Sequence, residues 1–130
     1  MHWTRFIFAV IGSGIVTSMT DWFFAGDWIH RRFTYPEIWR QGSETRAIIV
    51  SSALPFVTCA AFMALAVWLD VHSLVSLLRL ALLSWIIGPF PLILTNAAFI
   101  KFHRVFVALY SVGWLVKLTI AAIVAHWLLV

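Results

Sequence analysis

Charge is what this chain has least of: 11% of its 130 residues are Asp, Glu, Lys or Arg, against about 25% in soluble globular domains. That excludes an ordinary water-soluble fold, and an apolar fraction of 63% places the chain in a bilayer. Cysteine occurs once, at Cys59, which rules out an internal disulfide framework or a cluster of thiolate ligands. Inside an apolar run it reads as a buried structural thiol. The five acidic residues are scattered, so no neighbouring carboxylates are set up for paired acid and base work. The six glycines form no phosphate loop and no nucleophile motif is present, so enzymatic activity is not expected and no cofactor is implied.

What the chain has instead is four long apolar stretches, at about 6–26, 46–69, 77–100 and 105–129. Each is long enough to cross ~30 Å of hydrocarbon at about 1.5 Å per residue. The expected fold is all-α, a single integral membrane four-helix bundle over residues 1–130 with both termini on the same, outer side. Arg5 precedes the apolar run Phe6 to Val16. No small-x-small cleavage pattern follows it, so the segment is expected to stay as a span rather than be removed as a signal peptide. The N-terminus carries no lipidation motif.

Orientation follows from the basic residues, which are retained on the cytoplasmic side. Arg31, Arg32, Arg40 and Arg46 flank the first connection, and Lys101 and Arg104 the third, against Arg5 and Arg79 on the other side. The first and third connections are therefore expected inside, in an inner, cytoplasmic membrane. The net charge of +4 is spread around the spans rather than gathered on one face, which points to membrane lipids as the anionic partner and not to nucleic acid.

The first connection, about 27–45, interleaves Trp28, Phe33, Tyr35 and Trp39 with Arg31, Arg32 and Arg40. That pattern suits a segment lying in the headgroup layer, rings down and guanidiniums up. Thr34, Pro36 and Glu37 read as the start of a short capped helix, and Ser43 as a cap for the second span. Spans two and four each begin at an arginine and end in Trp-Leu, a faint repeat that ordinary interface chemistry also explains.

Polar residues inside the spans carry the functional expectation. Lys117 lies about 18 Å from the inner boundary by helical rise, where an ammonium costs at least ~2.5 kcal/mol. It must be held by groups within the protein. Asp21, nearer the inner end of span one, is one natural partner. The others are backbone carbonyls of Ser51, Trp85 and Ile87, which Pro55, Pro89 and Pro91 leave without their usual donors. Gly14, Thr17, Ser18 and Asp21 share one face of span one, a close-approach seam. Asn96 is expected to bond a neighbouring helix, and Trp85 and Trp114 with Phe90 and Phe56 to line an apolar pocket or simply pack. His2, His72 and His126 are expected outside and His30 and His103 inside; none is mid-span and none has ligand spacing, so neither a metal nor a haem is expected.

The segment Asp21 to Arg40, DWFFAGDWIHRRFTYPEIWR, and the tail Val105 to Trp127 resemble a group of uncharacterised small four-helix bacterial membrane proteins, a domain of unknown function. The resemblance implies the four-helix fold and brings no activity or site residues. In size and helix count the chain is also similar to the small multidrug transporters. Those place a glutamate in the middle of their first helix, whereas the nearest equivalent here, Asp21, is displaced toward the inner end.

Two readings follow. In the first, the chain is a transporter or carrier subunit, acting as a homodimer, with a polar pocket built from Asp21, Pro55, Pro89, Pro91 and Lys117 and a small-molecule ligand that no motif identifies. In the second, it is a structural, partner-binding or lipid-binding membrane protein whose buried charges set helix register.

Overall fold

The computed structural model describes residues 2–33 and 44–130. Those residues form six helices and no strand: α1 (Trp3–Ala25), α2 (Asp27–Phe33), α3 (Glu44–Trp68), α4 (Leu74–Ile87), α5 (Pro89–Phe99) and α6 (Arg104–Leu129). Four segments are long and apolar enough to cross a membrane, Trp3–Phe24, Thr45–Trp68, Leu74–Phe99 and Arg104–Leu129. The expected Thr34–Glu37 helix start, the Ser43 cap, Trp39 and Arg40 lie outside the described residues.

The first and third spans begin three residues before the expected positions, for a local reason in each case. α1 runs on through the amphipathic Trp3 and Arg5 with no breaker to stop it. α4 starts at Leu74 because the Ser73 hydroxyl accepts from the Ser76 backbone N–H at 3.1 Å, satisfying one of the free donors at a helix start. α6 is capped in the same way, the His103 Nδ1 accepting from the Val105 N–H at 3.1 Å.

Hydroxyls inside α1 are silenced by their own helix. Ser13 donates to the Ala9 carbonyl at 2.6 Å and Thr17 to that of Ser13 at 2.7 Å, the back-bonding expected where no water is available. Small residues then let the helices close. A Cβ on Gly14 would fall inside the Phe56 ring, so α3 lays that ring directly on the α1 backbone. Ser18 donates across the same seam to the Ser52 carbonyl at 3.0 Å, and the Thr17 hydroxyl lies 3.5 Å from the Cys59 sulfur, which is buried as expected. The pairs 14 with 56 and 18 with 52 make α1 and α3 antiparallel.

α6 is the hub, packing on α1, α3, α4, α5 and α2. Its Ala121, Ala122 and Ala125 meet Ala9 of α1, Cys59, Phe62, Met63 and Ala66 of α3, and Leu77 and Ala81 of α4 in one buried cluster. That cluster occupies the half of the bundle where α1 begins and α6 ends. Toward the opposite end the packing thins. Residues 45–54 of α3 are exposed, and so are Pro91, Leu92, Leu94, Thr95 and Asn96 of α5. Exposed Trp3, Trp68 and Trp127 at one end and Trp22 at the other suit the two headgroup layers of a bilayer.

The third span is one passage in two helices. Pro89 and Pro91 have no N–H to give, and Gly88 at φ −113° and ψ −86° turns the chain between α4 and α5. Pro55, by contrast, is buried inside a continuous α3.

Candidate functional site

α1 and α6 bring together the two charges that the sequence singles out. The Lys117 Nζ lies 2.8 Å from the Asp21 Oδ2, with side-chain exposures of 6% and 21%. The axial offset between them is closed by geometry. Side chains on an α-helix lean toward its N-terminus, and α1 and α6 run in opposite directions, so the lysine and the carboxylate lean toward each other. The second contact is Trp114, one turn before Lys117 on the same helix, whose ring centroid is 3.8 Å from the ammonium. A cation over the face of an indole in a desolvated setting gains about 2 kcal/mol. An ionic hydrogen bond and a π face together replace the water that a lysine loses at this depth.

One residue that the sequence reading missed sets the distance, and another was assigned a different role. A Cβ on Gly113 would meet the Cβ of Phe24 at 2.5 Å, so α6 approaches α1 this closely only because position 113 has no side chain. Gly113 stands four residues before Lys117, on the same helical face, and that spacing was the available signal. Trp114 was read as packing or pocket lining; its position three residues before the lysine marked it equally well as a cation–π partner.

The other expected site residues lie elsewhere. Trp85 of α4 stacks on Phe90 of α5, with centroids 4.4 Å apart and planes at 29°, and its Nε1 donates to the Ser111 carbonyl of α6 at 2.9 Å. These rings line a groove of about 490 Å³ between α5 and α6 with Leu94, Phe102, Arg104 and Val107. Pro89 is half-buried, while Pro91 and Asn96 are exposed on α5. Pro91 and Asn96, being exposed, do not join the buried Lys117, whose partners are Asp21 and Trp114. A second groove, about 370 Å³, separates α3 from α4 and is lined by Val57, Thr58, Ala61, Phe62, Ser84 and Leu118. The lining of neither groove includes Lys117 or Asp21.

Trp85→Phe removes one donor while keeping the stacked ring. It should destabilise the protein by about 0.5–1.5 kcal/mol, the net worth of a hydrogen bond between neutral groups, read as a lowered denaturation midpoint in detergent micelles.

At the end of the bundle that carries α2, Arg31 and Arg32 are exposed, Trp28 is half-buried and the ring of Phe33 lies 5.4 Å from that of His103. In the turn after α3, His72 Nε2 and Asp70 Oδ1 are 2.7 Å apart and exposed; among the described residues no three His, Cys, Asp or Glu side chains come together as metal ligands. Compared with family models, curated proteins and solved structures, the chain matches none of them.

Proposed function

We propose that this chain is a multi-pass protein of the cytoplasmic membrane that serves as a lipid-binding or partner-binding bundle and carries no solute, with Lys117 and Asp21 locking α1 to α6. The observation that supports this reading is the closure of the ion pair. Lys117 is 5% exposed, its ammonium is held by a carboxylate at 2.8 Å and an indole face at 3.8 Å, and it lines neither of the grooves described above. A carrier needs its binding charge in contact with a ligand pathway. Here the charge is spent on a neighbouring helix.

In this reading the α2 end faces the cytoplasm and both termini face outward; what supports it is that six of the eight basic residues flanking the spans, Arg31, Arg32, Arg40, Arg46, Lys101 and Arg104, belong in sequence to the first and third connections. Asp21, four residues before the end of α1, keeps its side chain 21% exposed against 6% for that of Lys117, so solvent or a headgroup would meet the carboxylate before the lysine.

The test is flux. Purified protein reconstituted into vesicles that hold a pH-sensitive and a chloride-sensitive dye should dissipate an imposed pH or chloride gradient no faster than the Asp21→Leu/Lys117→Met double variant does. A gradient that decays several-fold faster with the wild-type protein than with the double variant would establish the carrier reading and remove this one.

A further inference from the structure

We infer that the groove between α5 and α6 is a site for one anionic phospholipid of the cytoplasmic leaflet, its acyl chain on Trp85 and Phe90 and its phosphate on Arg104. This deepens the lipid-binding reading above by naming the lipid class and the place, and it rests on that reading only for the orientation of the bundle.

The groove exists because the third span is broken. With the chain turning at Gly88 and Pro89, α5 leaves the line of α4, and the space between it and α6 is floored by the stacked Trp85 and Phe90. Trp85 donates its Nε1–H to the carbonyl of Ser111, another residue of the groove's lining, at 2.9 Å, which fixes the orientation of the indole. The walls are apolar: Leu94, Phe102, Val107 and Val112.

Length and charge identify the occupant. The α6 wall runs from Arg104 to Val112, a rise of about 12 Å, close to half of a ~30 Å hydrocarbon core. The groove therefore spans one leaflet, from the headgroup level to the bilayer midplane. Its charged mouth is the exposed Arg104, and the connection 100–104 carries Lys101 and Arg104 with no acidic residue. An apolar slot one leaflet deep with a guanidinium at its mouth complements a chain attached to a phosphate. A zwitterionic lipid offers the same chain, but its own ammonium offsets the attraction. A helix of a second protein would meet Arg104 only with an acidic residue at that one position, whereas an anionic phospholipid carries its charge at the level of the mouth.

The experiment uses the whole protein in micelles doped with equal amounts of phosphatidylglycerol and phosphatidylcholine bearing identical chains, read by native mass spectrometry. Wild-type protein should retain phosphatidylglycerol over phosphatidylcholine about fivefold, the ratio that about 1 kcal/mol per arginine corresponds to. Arg104→Gln should bring the ratio close to one. Ala108→Phe, which fills the groove from an exposed position on its α6 wall, should lower retention of both lipids. Both substitutions lie on the exposed side of α6, and unchanged thermal unfolding verifies that the variants are folded. Equal retention of the two lipids by the wild type overturns the proposal, as does an unchanged ratio in Arg104→Gln or undiminished retention in Ala108→Phe. Those failures would leave the absence of flux untouched, whereas gradient dissipation by the wild-type protein would remove the preceding reading and leave the lipid ratio as it stands.

Discussion

Asp21→Leu is expected to destabilise the bundle by about 3–5 kcal/mol, the effect of stripping one partner from a buried ion pair, measured as a shift of the unfolding transition in detergent. The loss of the hydrogen bond accounts for only part of this. The larger part is the Lys117 ammonium, left with 6% of its side chain exposed and no anion beside it; the Trp114 face alone replaces only a fraction of its hydration. Lys117→Met should be the milder single change, because the carboxylate it strands is 21% exposed and can still be solvated from the headgroup layer.

The double variant Asp21→Leu/Lys117→Met should return to within about 1 kcal/mol of the wild type or exceed it, since two apolar residues of similar volume remove both desolvation penalties. Exchanging the charges, Asp21→Lys with Lys117→Asp, should recover part of the loss. Additive losses in the leucine and methionine double variant would mean that the two residues do not act as a pair, and would remove the lock.

The second large effect belongs to Gly113. Gly113→Ala should cost about 1–3 kcal/mol by overpacking, more than Gly14→Ala, although both glycines sit under a phenylalanine. The difference is which atom is struck. At Gly113 the added methyl meets the Cβ of Phe24, which moves only if the α1 backbone moves. At Gly14 it meets the ring of Phe56, the far end of a side chain that can swing. Displacing α1 from α6 also lengthens the Lys117–Asp21 contact of 2.8 Å. Gly113→Ala and Asp21→Leu should therefore be less than additive when combined, the signature of sites that share one contact. Strict additivity would show that Gly113 does not control the spacing of the pair.

Much of this was legible in the sequence because membrane spans leave little room for choice. Length and hydropathy placed the four spans within three residues of where the helices begin, and the cost of an ammonium in hydrocarbon pointed to Lys117 and to Asp21 as its partner. The rest depends on rotation about helix axes, which composition does not encode. Pro89, Pro91 and Asn96 share a depth zone with the lysine in a linear reading, yet Pro91 and Asn96 face outward on α5. A helix in lipid has an apolar exterior on every side, so no hydrophobic stripe reveals which face is turned to a neighbour. Small residues were the better guide: Gly14 and Ser18 marked a seam, which proves to be with α3, and Gly113, which was overlooked, carried the same signal for α1.

The central place of α6 has a consequence for how the protein is made. α6 follows α1, α3 and the α4–α5 passage in chain order, so those three are synthesised before the surface that joins them. During that interval the Asp21 carboxylate has no Lys117 beside it, and among the described residues the α1–α3 seam is the main packing between the three earlier passages. Arrival of α6 supplies that counter-ion and the shared packing surface in one event, which makes a chain truncated before Lys117 a natural substrate for quality control.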